Sequence, residues 1–521
     1  MTVAQSASGP VDVVLGEGAV SLPTRGWTPR LRVRILLAGA AGLALLLALP
    51  RFDLWWSAPV GVALLVAAVA GARLRTAHGV ASLAHLVLFL PLLEWTRFLG
   101  PLPWILLSVL QALIAGLVGP LLAIATRRLP LVALPVVLAG AFVAVEGLRG
   151  RVPYGGFTWG RLAFSQADAP TMGLAAWGGA PLVTAAVAAS GAGLTMLVVG
   201  RRRRLRLTAA GSLALVVPLL GLLASPPPAE REIRVAAVQG DVPEGLIGLG
   251  EDRVVLANHV EQTLRLAQDV AAGRRPAPDL VVWPENSVDT DPRTDPPTAA
   301  AIARARAAIG MPLVIGAVLR DGAFNENSIF VWDDGVPDVR YAKKHLVPFG
   351  EYLPHRPLIE RLYPDATTLL PRDFAPGDRV GTLDVDGIRL AVGTCYEVAF
   401  DDLPREAVRA GGQILVLPSN NASYGRSAES AQQLAMARLR AVEHGRAAVV
   451  ATTSGISALV RPDGEVVARS PLFEAAVLDA DLPLSSRLTL ATRFGPAVEV
   501  ALALIGLLPL VGAVLVARRQ T

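Results

Sequence analysis

The chain has 521 residues, 53% of them hydrophobic and 17% charged, with a mean hydropathy of +0.49. A soluble protein carries about a quarter charged residues, so an ordinary soluble enzyme is excluded. The net charge of +5 hides an asymmetry: 18 Lys+Arg stand against 6 Asp+Glu before residue 227, and 30 against 37 after it. The basic residues lie in short clusters between apolar runs, a pattern that argues against nucleic acid as a partner.

In chain order, residues 1–33 read as a cytoplasmic tail and 34–226 as a membrane domain. Apolar runs long enough to cross about 30 Å of hydrocarbon are expected near 34–50, 54–72, 78–96, 103–126, 129–147, 175–199 and 207–224, with one more near 498–517. No small-residue cleavage site followed by a soluble domain comes after the first run, so it reads as a helix rather than a signal peptide. With the N-terminus inside, the inner segments hold 15 arginines and the short outer loops 5. That bias puts both ends of the chain in the cytoplasm and the segment 225–497 outside. Glu94 and Glu146 fall at outer span ends, either as interfacial carboxylates, solvated or paired with Arg97 or Arg149, or as a polar lining for a headgroup pocket. The Gly- and aromatic-rich stretch 154–166 suits a re-entrant or interfacial segment.

After the Pro-rich break at 225–231 the texture becomes that of an α/β domain, 227–497, followed by the C-terminal span and cytoplasmic end, 498–521. Strands are expected at 233–240, 279–285, 312–319, 327–333, 388–397, 413–420, 447–454 and 457–464, several of them apolar throughout, as strands buried on both faces are. Helices are expected at 252–272, 297–309, 401–411 and 428–445.

Three strand ends carry chemistry. VVWPEN leaves Glu285 where a strand meets a loop, YAKKHLVPFGEY holds the only two lysines of the chain, and RLAVGTCYEVAF delivers its only cysteine, Cys395. One cysteine permits neither an intrachain disulfide nor a Cys-based metal cluster. Sites in open α/β sheets form beyond strand ends, so thiol, amine and carboxylate can converge there. A free thiol needs a base to ionise it, and attack on a carbonyl needs a cation or N–H donors for the oxyanion. Each residue also has a plainer reading: a buried small hydrophobe for Cys395, a solvated loop for the lysines, a helix cap for Glu285.

At these residues the sequence resembles the nitrilase (carbon–nitrogen hydrolase) superfamily and, more closely, its integral membrane branch, the apolipoprotein N-acyltransferases. VAAVQGDVP, VVWPENS, YAKKHLVPFGEYLP, TCYEVAF, SNNASYGRS, AMARLRAVEHGR and TTSGISALVRPDG match in order, as does GGFTWGRLAFSQ in the membrane half. The resemblance implies about eight membrane helices carrying an extracytoplasmic α-β-β-α sandwich. It implies Glu285 as general base, Lys343 as oxyanion-stabilising lysine and Cys395 as nucleophile, with Glu351, Tyr396 and Glu397 in support. It further implies ping-pong transfer of an acyl chain from a membrane phospholipid to a diacylglyceryl-cysteine apolipoprotein, as the last step of lipoprotein maturation, in the cytoplasmic membrane and without metal or organic cofactor. Three positions depart from the family pattern: a family tryptophan falls near Gly248, and Asn421 and Ser423 replace an acid and a tryptophan. The alternatives are a membrane-tethered amidase of small amides, which would use water as acceptor, and a receptor or scaffold on a catalytically dead fold.

Overall fold

A computed structural model of the protein describes residues 29–200, 205–242, 253–362 and 370–519. The first half is helical: α1 (Leu31–Leu47), α2 (Ser57–Val69), α3 (Leu74–Leu92), α4 (Pro101–Ala115), α5 (Val118–Arg128), α6 (Leu134–Arg149), α7 (Ala175–Gly200) and α8 (Leu205–Val216). Among the described residues, Pro101–Arg128, Leu131–Arg149, Pro170–Val198 and Leu490–Arg519 are long and apolar enough to cross a membrane. Ser57–Val69 and Gly211–Leu223 are apolar but shorter. The run expected at 103–126 is two helices, α4 and α5, broken at Gly116 and Leu117.

The second half holds β1 (Arg231–Gln239), α9 (Val254–Ala271), β2 (Leu280–Val282), α10 (Pro296–Ile309), β3 (Leu313–Asp321), β4 (Phe324–Trp332), β5 (Tyr341–Ala342) and α11 (Arg356–Leu362). It continues through β6 (Thr382–Val385), β7 (Ile388–Val392), α12 (Asp402–Arg409), β8 (Ile414–Ser419), α13 (Glu429–His444), β9 (Ala448–Thr452), β10 (Ala458–Val460), β11 (Val466–Arg469) and β12 (Ala476–Leu484). The last helix, α14 (Leu490–Arg519), starts eight residues before the expected apolar run, because its polar first turns dock on the preceding domain. Thr492 there meets the His444 ring at 2.9 Å.

The strands form two six-stranded sheets, ordered β12-β1-β2-β3-β4-β5 and β11-β10-β9-β8-β7-β6. In each sheet a parallel core (β1, β2 and β3; β7, β8 and β9) is flanked by antiparallel strands. Strand alternation explains the unbroken apolar runs. Val235 and Ala237, Leu390 and Val392, and Ile414 and Val416 pack between the sheets. Ala236 and Val238 face α9 and α10 on one outer side. On the other side Ala391, Leu415 and Leu417 face α12 and α13, and the same apolar cluster runs on through Leu45, Val62, Phe89 and Val183 of the helical half. The layers are therefore α-β-β-α, and the second helical layer shares one core with the helical half.

Strand β7 is shorter than the expected 388–397: it ends at Val392, and Cys395–Ala399 form a 3₁₀ turn. Glu397 Oε2 accepts the Thr394 N–H at 2.7 Å, which turns the chain out of the sheet. The short or edge strands β5, β6, β11 and β12 carry no long apolar run and were not expected.

Candidate active site

Glu285 lies three residues beyond β2, in a turn that crosses directly over β3. At the crossing point a Cβ on Gly316 would lie 2.3 Å from Pro284 O and 2.7 Å from Glu285 Cα, so only glycine lets the turn sit this low. Ser287 Oγ and the Val288 N–H both donate to Gly316 O, at 3.1 and 3.0 Å. Lys343 follows β5 at once. Cys395 is the first residue of the turn after β7 and takes φ +48°, a left-handed conformation that a side chain adopts only when its surroundings impose it.

Lys343 Nζ donates to Glu285 Oε1 at 3.0 Å and to Glu351 Oε1 at 2.9 Å. Asn327 Nδ2 reaches the same two oxygens, at 2.7 and 3.0 Å. The remaining oxygens accept backbone N–H groups, Asn420 on Glu285 at 2.8 Å and Val347 on Glu351 at 2.7 Å. Two carboxylates thus share one ammonium and one amide. Burial works against the Lys343 charge, but Glu285 and Glu351 outweigh it and hold its pKa well above the lysine value. Burial and the Glu285 charge push the Cys395 thiol well up, against the pull of Lys343. The resting group is therefore a thiol beside a carboxylate that can take its proton.

Glu397 is fully buried and ties the Cys395 turn to the lysine loop. Its oxygens accept from Tyr341 OH at 2.8 Å, from the N–H groups of Lys344 and His345 at 2.8 and 3.0 Å, and from Thr394. Lys344 turns its ammonium away, to Glu406 at 2.8 Å. Tyr396 points to the helical half: its hydroxyl donates to Gly156 O at 3.1 Å, and its ring stacks on Trp159 at 6.4 Å.

The 150–166 stretch is a folded floor under the site. Arg149 donates to Phe157 O at 2.9 Å and Trp159 O at 2.7 Å, and Glu146 accepts the Leu162 N–H and the Thr184 hydroxyl. Glu146 and Arg149 thus hold this floor separately instead of pairing. Glu94 does meet Arg97, at 4.0 Å and largely in the open. Gly156 passes so close to Gly150 that a Cβ would lie 2.0 Å from its carbonyl carbon. Trp159 Nε1 donates to Gln432 of α13 at 2.6 Å, and Arg161 pairs with Asp401 at 2.7 Å.

The position near Gly248 lies outside the described residues. Asn421 is buried, and Tyr424, one residue after Ser423, packs edge-on against Trp95 and Phe98 of the helical half. The motifs did not single out Asn327, Asn420 or Gln433 as site residues. Asn327 had one signal, an amide within a strand that otherwise turns apolar. Among the described residues no group of three or more His, Cys, Asp or Glu side chains is arranged to hold a metal ion.

Residues 234–490 match the carbon–nitrogen hydrolase family, and residues 41–193 match the apolipoprotein N-acyltransferase N-terminal domain. The second half is thus a nitrilase-like domain, carried on a helical half that has its own family match. An apolipoprotein N-acyltransferase of Mycolicibacterium smegmatis is 39% identical over 91% of this chain and 84% of its own. One of Azotobacter vinelandii is 32% identical over 90% and 94%. Among solved structures, Saccharomyces cerevisiae Nit3, a member of the nitrilase superfamily, aligns with 50% of this chain and 93% of its own at 19% identity and a TM-score of 0.36. The chain belongs to the apolipoprotein N-acyltransferase family.

Proposed function

We propose that this protein is an acyltransferase that moves an acyl chain from a membrane phospholipid to the α-amino group of a diacylglyceryl-cysteine apolipoprotein, through a thioester on Cys395. Glu285 takes the thiol proton, and the sulfur attacks the ester carbonyl. Lys343 stabilises the oxyanion, and the C–O bond breaks as Glu285 returns the proton to the leaving oxygen, releasing a lysophospholipid. In the second half-reaction the amine attacks the thioester, Glu285 takes its proton, and the C–S bond breaks to restore the thiol. Glu351 shares the lysine, Glu397 holds the nucleophile turn, and Tyr396 anchors the site to its floor. In this reading the chain crosses the membrane about eight times, and the arginine bias supports residues 227–497 lying on the outer face of the cytoplasmic membrane, where both lipid substrates meet, with residues 1–33 and the end of 498–521 inside.

The observation that carries this reading is the Glu285–Lys343–Cys395 group buried directly behind a loop of the helical half, in a chain of this family. The test is to incubate the full chain with labelled phospholipid alone. A hydroxylamine-labile acyl-enzyme is expected, absent in Cys395→Ser or left as a slow oxygen ester. Adding a diacylated lipopeptide should then move the label to the peptide, with parallel double-reciprocal plots. Release of free fatty acid in place of transfer would make the protein a hydrolase. No acyl-enzyme from an intact thiol would overturn the reading.

A further inference from the structure

Glu429, the first residue of α13, is 1% exposed and has no part in the scheme above. Its Oε2 accepts from Asn421 Nδ2 at 2.6 Å and from the Ser430 hydroxyl at 3.4 Å. The same Asn421 amide donates to Gln433 Oε1 at 2.9 Å, and Gln433 Nε2 lies 3.6 Å from Cys395 Sγ. These bonds set the direction of each amide. A carboxyl oxygen and an amide oxygen take both Asn421 hydrogens, the Gln433 carbonyl is engaged by one of them, and its NH2 faces the sulfur. Asn420, the preceding residue, gives its N–H to Glu285. One short loop therefore meets the base on one side and the donor to the nucleophile on the other.

We propose that Glu429, Asn421 and Gln433 form a positioning relay for the nucleophile, which holds the Gln433 amide as a donor to the Cys395 sulfur and has the Glu429 carboxyl at its far end. The inference rests on Cys395 being the nucleophile. A donor at the sulfur favours thiolate over thiol. The titratable groups facing Glu429 are Glu285 beyond β2, Cys395 beyond β7 and Tyr424 in its own loop; Lys343 and Glu351 also face the sulfur. Burial pushes the Glu429 carboxyl up to about 8, with the Glu285 charge adding to it, although its bonds to Asn421 and Ser430 pull the other way. At neutral pH it is mostly the neutral acid, and the sulfur faces Glu285 and Glu351 balanced in part by Lys343. Above that value a further negative charge appears beside the sulfur and raises the thiol pKa, opposing the thiolate that the first half-reaction needs.

The test uses the full chain in detergent and follows alkylation of Cys395 by a lipophilic iodoacetamide, by intact mass, from about pH 6.5 to about pH 9. The ratio of Glu429→Gln to wild-type rates should rise across this range, because the variant acquires no charge. Gln433→Leu should react on the order of tenfold more slowly throughout, the value of a hydrogen bond to a charged group. A ratio that stays flat with pH, or Gln433→Leu reacting at the wild-type rate, overturns the relay. Phospholipid acylation of the wild type in the same preparation keeps the two readings apart. Its absence fails the acyltransferase reading, whereas its presence beside a flat ratio fails the relay alone.

Discussion

At the scale of single residues, two adjacent lysines carry opposite expectations. Lys343→Ala removes the cation between two buried carboxylates, the charge proposed to meet the oxyanion. Acyl transfer should fall on the order of 10²-fold, and the unpaired carboxylates should cost about 3 kcal/mol or more in thermal unfolding. Lys344 acts through its backbone N–H, which donates to Glu397 and survives substitution, while its ammonium makes a partly exposed pair with Glu406. Lys344→Ala should therefore lose less than about 1 kcal/mol and keep most of its activity. Equal losses from both would contradict the geometry. The motifs distinguished these lysines only through the resemblance, because two neighbouring ammonium groups look alike until a fold turns one inward.

At the scale of elements, the turn holding Glu285 lies against β3 at the one strand position where no side chain fits. Gly316→Ala puts a methyl 2.3 Å from a carbonyl oxygen, and backbone cannot yield as a flexible side chain does. The turn must rise, which should cost about 1–3 kcal/mol and move Glu285 off both Lys343 and the Asn420 N–H. Turnover should then fall more steeply than phospholipid binding, read as a kcat loss larger than the KM change; an unaltered kcat would show that the turn is not positional. The parallel strands β2, β7 and β8 were legible as apolar runs because both their faces are buried. The turn after β7 was not. Its direction depends on Glu397 gathering donors from Thr394, Lys344 and His345, two segments some fifty residues apart.

At the scale of the whole molecule, the helical half and the nitrilase-like domain are latched by buried charge. Asp401 accepts from Arg161 of the floor at 2.7 Å and from Arg440 of α13 at 2.8 Å. Burial alone would raise its carboxyl, but Arg161 and Arg440 outweigh it and hold it well below the usual range. A depressed carboxylate contributes stability above the unfolded value of about 3.9, and that contribution is lost as pH falls toward the folded one. Asp401→Asn should therefore lower the unfolding temperature at neutral pH, with about 3–5 kcal/mol at stake when buried guanidinium groups lose their partner. The gap to wild type should narrow only below about pH 4; a gap unchanged down to about pH 3 would show that the latch is not ionic. Topology is tested at the same scale. Reporter fusions after residue 205 should read cytoplasmic and those within 300–450 extracytoplasmic, and the reverse would undo the proposed orientation.

By itself the sequence determined the helical and α/β halves, the parallel strands and the motifs that carry Glu285, Lys343 and Cys395. These follow from hydrophobic periodicity, charge placement and local motif spacing, all readable along the chain. The tertiary structure alone decided that α12 and α13 join the helical half in one apolar core, that residues 150–166 become the floor of the site, and that Glu146 and Arg149 brace that floor instead of each other. It also brought Asn327, Asn420, Gln433 and Glu429 to the Glu285–Lys343–Cys395 group. A buried amide or carboxyl takes its meaning from partners remote in sequence, and local pattern carries no record of which partner the packing will deliver.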